Sequence, residues 1–486
     1  MENENFEVDN PNFCLKFYGG VWMSFLPFII FIILIVLTTF IGGSISDGAL
    51  WIPAFLALLI PLFFAKNKQH YTEVIMKGMA SKETITPIVC WIFAGVFSAI
   101  LKSSGLANAI AGFVTNIGVG NVAFTVITFL SSALFATASG TGFGTIAIGM
   151  GVLYPAGIVL GCHPTLLAGA IISGAAFGDN LAPISDTTIC SATSQGVDVP
   201  GVVRSRLKYS LVAAIISIII FIILANILNT SVTINNTNYE YDSLAFFMLI
   251  AVVLTIITAI KTGNMIFATT IGIISGSIIG ILTNQFSFLQ IDPTNINTNA
   301  LFLLSGEGLD RSLTGIIYSG LSGMIQVSIL ALLLFGSIAI MRYGKGDIKL
   351  LEKLESIVKT SIGAELIISL MIIVLSAIMG LNAPAILAVG SSFAKPLSKK
   401  YGISSYRTAN LLDAQSNTLC YALPWTPAAI FTIGFASNTT SPLTAIQITP
   451  FVIYGYVLLL VMISSIFLKI GQNDGMNHNK KIQKIL

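Results

Sequence analysis

The feature that most constrains this chain is a succession of apolar runs too long and too numerous for a soluble core. They cover roughly residues 22–42, 48–65, 85–102, 120–138, 140–161, 164–192, 207–228, 243–260, 264–283, 314–341, 363–380, 381–397, 405–431 and 449–469. A helix needs about 20 apolar residues to cross a bilayer, and most of these runs supply them. Only 9% of the 486 residues are charged and 55% are hydrophobic, whereas soluble domains carry about 25% charge. The runs therefore predict an all-α polytopic membrane protein of about 12–14 spans, with the lipid bilayer as its solvent. The shortness of 381–397 and the glycines of 140–161 leave open whether these two runs cross or re-enter.

Lysine and arginine collect in the stretches 66–82, 204–208, 342–359, 399–407 and after Lys469, while 229–242 and 431–448 carry none. If every run crosses and the N-terminus is inside, all the basic loops fall on the cytoplasmic side, as positive charge in short loops requires. The acidic start (Glu2, Glu4, Glu7, Asp9) lacks the basic region of a secretory signal, so the first run is expected to stay as a span. The expected organisation is a cytoplasmic tail over 1–20, a membrane domain over 21–470 and a basic cytoplasmic tail over 471–486. Amphipathic segments near 104–118 and 346–360 are expected at the membrane surface. Five scattered cysteines without a CxxC pair and three distant histidines point to neither a disulfide framework nor a metal cluster. The net charge of +3 reflects loop bias and implies no nucleic-acid partner.

The two parts 85–228 and 314–469 echo each other. Gly95 corresponds to Gly336 and Gly105 to Gly346, and Ala138–Gly142 corresponds to Met379–Ala383. Asp179 with Ser185-Asp186-Thr187 is set against Asp413 with Ser416-Asn417-Thr418, at a shorter spacing. In the topology above the copies enter from opposite sides. That is the inverted repeat of many secondary transporters, whose ion sites lie between the repeats at broken or re-entrant helices.

The residues at these positions suit a hard cation. Asp179, Asp186 and Asp413 offer carboxylates for Na+, and a carboxylate at membrane depth costs about 2.5–3.5 kcal/mol on insertion scales, so its presence argues for use. Asn180, Ser185, Thr187, Thr188, Ser416, Asn417 and Thr418 offer neutral oxygens. Gly140, Thr141, Gly142, Gly178, Pro183, Asn382 and Pro384 interrupt helices and release backbone carbonyls. Burial disfavours the charged form of a carboxylate, so one site can hold either H+ or Na+, and competition with alternating access yields exchange. No cofactor is needed beyond the transported ions, and no P-loop is present. Glu365 reads as interfacial, Asp413 as either an ion ligand or a neutraliser of Arg407, and Trp425 as a packed kink or part of a substrate wall. No Lys or Arg is expected inside a span away from its edges, which argues against organic anions as cargo. A solute carrier using Na+ or H+ as coupling ion, for an organic acid, amino acid or amine, is the alternative. A channel is less well matched to titratable midplane acids, and no nucleophile–base arrangement suggests an enzyme.

The stretch Gly174–Thr188, with Gly178-Asp179, Ala182-Pro183 and Ser185-Asp186-Thr187-Thr188, resembles the signature of the NhaC-type Na+/H+ antiporter family. Ser139–Thr145 resembles that family's Gly-Thr-rich segment, and Arg407–Asp413 with Pro424-Trp425 resembles its later elements. The resemblance implies a multi-pass exchanger of a bacterial or archaeal cytoplasmic membrane, with Na+ and H+ as partners; Li+ as a further ion and a homodimer as an assembly are left open. The family also includes members that couple these ions to organic acids such as malate and lactate. The second half departs from the pattern at Leu412 and over Gln415–Thr418, so the solute stays open.

Overall fold

The computed structural model describes residues 13–42, 51–183, 185–228, 242–262, 264–291, 299–306, 311–355, 358–436 and 442–472. Most of both tails, 1–20 and 471–486, lies outside them. Eight helices among the described residues are long and apolar enough to cross a membrane, or nine if the bent pair Ala445–Phe451 and Ile453–Phe467 counts as one span. Four shorter apolar helices accompany them. The fourteen sequence runs do not map one to one onto spans, because several are arms of the same hairpin.

Two sets of elements recur. The first is α1 (Lys82–Ser103), α2 (Leu106–Asn116), α3 (Asn121–Ser139), α4 (Gly142–Ile148), α5 (Tyr154–Val159), α6 (Pro164–Leu181), α7 (Asp186–Gln195) and α8 (Val199–Leu228). The second is α9 (Ile325–Tyr343), α10 (Gly346–Glu355), α11 (Ser361–Met379), α12 (Asn382–Val389), α13 (Lys395–Lys400), α14 (Ser405–Ser416), α15 (Leu419–Ala422), α16 (Pro427–Ala436) and α17 (Ile453–Phe467). Helix α3 ends on Gly140 and α11 on Gly380, both at positive φ, where a side chain would be strained. A π-helical turn joins α4 to α5 at Gly149–Leu153 and α12 to α13 at Gly390–Ala394. Pro155 and Pro396 follow, then Gly161 and Gly402 turn at positive φ, then Pro183 and Pro424 sit at the helix breaks. These pairs stand 240 or 241 positions apart throughout.

That constant register corrects the last sequence match. Asp179 is the counterpart of Cys420, not of Asp413, which lies seven residues earlier, on the helix before the break. No insertion separates the copies. The similar spacing of polar residues in two stretches out of register imitated one.

The copies run in opposite directions. Asp198 meets Tyr406, Ser191 bonds Asp413, and Asp179 bonds Tyr421, so α6–α7 descends as α14–α15 ascends. Within the first copy, Gly174 faces Phe129 and Ser132 while Gly178 faces Ala136 and Thr137, so α3 and α6 run parallel. The helix α4–α5 between them returns toward Phe124 at Gly157. Runs 120–138 and 140–161 are thus two arms of one hairpin, and 363–380 with 381–397 form the other. The two tips, Gly140–Gly142 and Leu381–Pro384, line one interior cavity. Tips of oppositely directed hairpins reach one cavity only if both turn back inside the molecule. Taking crossings away in pairs leaves the parity of the basic loops intact. Contacts link those loops on one face: Lys16 with Lys66, Leu15 with Tyr343, Val358 with Tyr401, and Ser404 with Gln472.

The all-helical expectation needs one addition. The connection 284–313 holds a short sheet of Ser287–Ile291, Ala300–Ser305 and Ser312–Thr314, with the first pair parallel and the second antiparallel. The segment 346–360 does begin with a helix, α10, with Lys349 bonded to Glu352 on its exposed face.

The packing of α6 against α3 depends on Gly178, whose added Cβ would fall 2.5 Å from the Thr137 nitrogen and 2.6 Å from the Ala133 carbonyl oxygen. Backbone on both sides leaves no side chain to yield. Gly178→Val is expected to cost at least the ~1–3 kcal/mol of core overpacking, seen as a lower melting temperature of the detergent-solubilised protein.

Candidate functional site

The helix breaks generate the site. Helix α6 stops at Leu181, its cap Ala182 turns extended, and α7 restarts after Ser185. The opposing helix breaks at Asn417 and again at Leu423. Each break frees backbone groups that an unbroken helix would pair. A cavity of about 1040 Å³ opens beside them. Asp179, Asp186, Thr187, Tyr421 and both hairpin tips line it, with Lys82, Cys90, Trp91 and Met265 on its other walls.

Asp179 is only 5% exposed. One carboxylate oxygen accepts from the Ser185 hydroxyl at 2.8 Å and the other from the Tyr421 hydroxyl at 3.1 Å. The Ser185 hydroxyl also meets that of Thr187 at 2.9 Å. Asp186 opens the first turn of α7, accepts from the Thr187 backbone N–H at 2.8 Å and faces the cavity. Gly142 lets the first tip approach this group, since a Cβ there would collide with the Tyr421 hydroxyl. Thr141 caps α4 by accepting from the Gly144 N–H at 3.2 Å.

A second polar layer lies behind the cavity. Arg206, on α8 and fully buried, pairs with Asp413 at 2.7 Å. The same guanidinium nitrogen donates to the Asn180 carbonyl and to the Thr188 hydroxyl at 3.2 Å, and Nε donates to the Asn410 side chain at 3.3 Å. Asp413 also accepts from Ser191 at 3.3 Å and from the Asn417 amide at 2.9 Å. A third layer holds Arg407, paired with Glu365 at 2.8 Å, donating to Ser465 at 2.9 Å and lying over the Tyr209 ring.

The expected residues therefore divide. Asp179, Ser185 and Thr187 form one bonded group, and Asp186, Gly140, Thr141, Gly142, Asn382 and Pro384 join them at the cavity. Asp413 does not. Among the described residues no three carboxylates, thiols or imidazoles gather as a metal-holding group. Asp413 is paired with Arg206, which sets it apart from Asp179 and Asp186 at the cavity. Thr188 serves that arginine, while the Asn180 amide donates to Ser210 at 2.8 Å and Tyr454 at 3.0 Å. Ser416 and Thr418 donate to carbonyls of their own chain segment, those of Asp413 and Gln415. Gly178 and Pro183 shape the break without facing the cavity.

Two buried arginines overturn the expectation of spans free of internal Lys and Arg. Arg206 looked like part of a cytoplasmic loop because α8 begins at Val199, eight residues before the apolar run. Glu365 is 1% exposed and paired, not interfacial. Tyr421 was also missed, although the constant register sets it opposite Asn180, beside Asp179. Trp425 donates its indole N–H to the Ala377 carbonyl at 2.9 Å, which ties the second break to its hairpin.

Comparison with known proteins adds to this geometry. Residues 15–226 match the Na+/H+ antiporter family. The chain is 28% identical over 235 residues to the Na(+)/H(+) antiporter NhaC of Alkalihalophilus pseudofirmus, covering 47% of this chain and 50% of that one. It is 27% identical over 173 residues to the malate-2H(+)/Na(+)-lactate antiporter of Bacillus subtilis, covering 36% of each. It is 23% identical over 301 residues to the Bacillus subtilis NhaC, covering 59% of this chain and 65% of that one. The aligned parts thus span about half of the first relative, about a third of the second and just under two thirds of the third.

Removing one partner of a buried ion pair strands a charge, at a cost of about 3–5 kcal/mol. Arg206→Gln alone is expected to reduce folded yield and melting temperature sharply, and Arg206→Gln with Asp413→Asn to recover most of the loss. Size-exclusion profiles and thermal melts of the two variants check this.

Proposed function

We propose that this chain, whose residues 15–226 match the Na+/H+ antiporter family, exports Na+ in exchange for H+, with Asp179 holding the two ions in turn. The family match and the antiporter relatives support antiport in general. Na+ as the cargo and the residues that carry it are our reading.

One observation carries it. Among the described residues, the buried carboxylates Asp413 and Glu365 each have a resident arginine. Asp179, equally enclosed but at the cavity, has only hydroxyl partners. Its neutralising cation has to come from outside the protein. Na+ favours oxygen ligands, and Asp179, Asp186 and the Thr187 hydroxyl supply them beside the carbonyls freed at the breaks. A proton on Asp179 removes the negative charge and with it the attraction for Na+. A bare carboxylate is the form that a low-dielectric interior disfavours most. The site therefore changes its exposure loaded with one ion or the other, and that requirement couples the two fluxes. Two oppositely directed hairpins, each meeting the site from one side, provide gates of the kind alternating access needs. The basic face described above, taken as cytoplasmic in a bacterial or archaeal membrane, fixes the orientation of the chain, and an inward proton gradient then drives Na+ outward.

The cavity favours a second reading. At about 1040 Å³ it matches the pockets of organic ligands, commonly about 300–1,000 Å³, better than a bare ion. The relative that exchanges malate and lactate is consistent with this, as is the presence of Lys82 on the cavity wall. In that case Asp179 carries the coupling ion and the solute fills the remaining space.

Everted vesicles from cells without their own antiporters, energised and followed with a ΔpH-sensitive dye, test both readings. Na+ alone is expected to collapse the gradient. Asp179→Asn keeps the volume and the partners of Ser185 and Tyr421, so it is expected to abolish the response while melting near wild type; full exchange in that variant refutes the assignment. A response that appears only when an organic acid is added selects the second reading. In wild type, the apparent Na+ affinity is expected to weaken as pH falls, because protons occupy the same carboxylate. An affinity independent of pH across the neutral and alkaline range excludes competition at one site.

A further inference from the structure

The buried pair Arg206–Asp413 does not face the cavity, yet a chain of directed bonds joins it to one. A carboxylate accepts hydrogen bonds and cannot donate them. The Asn417 amide nitrogen donates to the Asp413 carboxylate at 2.9 Å and to the Asp413 backbone carbonyl at 3.1 Å. With its NH2 group so held, the Asn417 carbonyl oxygen points the other way. There it accepts from the Asn382 amide nitrogen at 2.6 Å. Asn382 stands at the tip of the second hairpin and lines the cavity that Asp179 and Asp186 share. With its NH2 group turned toward Asn417, its own oxygen has no donor among the described residues. Each amide is oriented by the one before it, and the sense of the whole row is set by the charge at its inner end.

We infer that Arg206 and Asp413 are positioning residues: the fixed ion pair polarises the Asn417–Asn382 row so that Asn382 presents its side-chain oxygen to the cavity as a cation ligand. This rests on the cation–proton exchange proposed above and adds a ligand from the opposite repeat to it. Asp413 so placed binds no transported ion. Arg206 supplies the permanent counter-charge, and its bonds to Asn180 and Thr188 hold both sides of the first helix break in the same frame. A neutral amide at position 413 could donate as well as accept, and the row would lose its direction.

The test measures the KM for Na+ and the maximal rate of Na+-dependent ΔpH collapse in everted vesicles, with folded protein quantified in each preparation. Arg206→Gln combined with Asp413→Asn removes the polarity without leaving a lone buried charge. It is expected to raise the KM about tenfold, the loss of one good ligand, with little change in maximal rate. Adding Asn382→Asp to that pair is expected to restore the affinity, because a carboxylate shows the cavity an oxygen in either orientation. In the wild-type background the same Asn382→Asp change sets a carboxylate against the Asn417 oxygen and is expected to give no gain. An unchanged KM in the neutral pair, no rescue by Asn382→Asp, or an equal gain in both backgrounds overturns the inference. Asn382→Leu, at the cavity surface and outside the ion pair, serves if the neutral pair folds poorly. It is expected to raise the KM about tenfold as well, and a wild-type KM there overturns the inference without the other variants. Failure of the exchange reading looks different: the wild-type protein itself then shows no Na+ response, and the inference falls with it.

Discussion

A charge taken out of water must meet an opposite charge or be discharged, and the interior of this protein is arranged around that constraint. Desolvating an ion costs several kcal/mol even after the protein relaxes, and only a close partner with good hydrogen bonds offsets it. Asp413 meets Arg206 and Glu365 meets Arg407, each pair closed to solvent. Asp179 has no such partner among the described residues and lies beside the cavity. The contrast separates carboxylates that hold the fold from the one we propose as the exchanging group. It also explains why three aspartates close in type and sequence context do not converge on one ion.

The helix breaks follow from the same accounting of polar groups. Backbone that leaves a helix inside a membrane needs new partners. Here the carbonyl of Asn180, next to the break, accepts from Arg206, and the Trp425 indole bonds a carbonyl of the neighbouring hairpin. The hairpin tips depend on glycine for a steric reason: Gly140 and Gly380 take positive φ, and Gly142 leaves room for the Tyr421 hydroxyl. Inverted repetition then doubles the arrangement. One copy supplies Asp179 and Asp186, the other supplies Tyr421 and Asn382, and the cavity between them belongs to both.

The repeat itself was legible in the sequence, but its register was not wholly so. The glycine pairs at the hairpin tips mark a spacing of 240–241 because each performs the same backbone turn. Side chains are free to diverge between copies that face different partners, so matching Asp179 to another aspartate led to Asp413 instead of Cys420. Backbone-forcing residues, glycine and proline, were the more faithful markers.

The apolar runs determined by themselves that this chain is a helical membrane protein. The spacing of Lys and Arg determined which loops share a face. The motif around Asp179 and Asp186 marked where polar chemistry enters the membrane. Those properties depend on local composition and short-range geometry, which a linear sequence carries. Tertiary structure alone decided that adjacent runs pair into hairpins whose tips line one cavity, that Arg206 lies inside the membrane domain, and that it claims Asp413. The last two depend on residues some 200 positions apart coming within hydrogen-bonding distance. Which carboxylate is left without a resident cation depends on where every buried charge finds its partner, and no stretch of sequence specifies that alone.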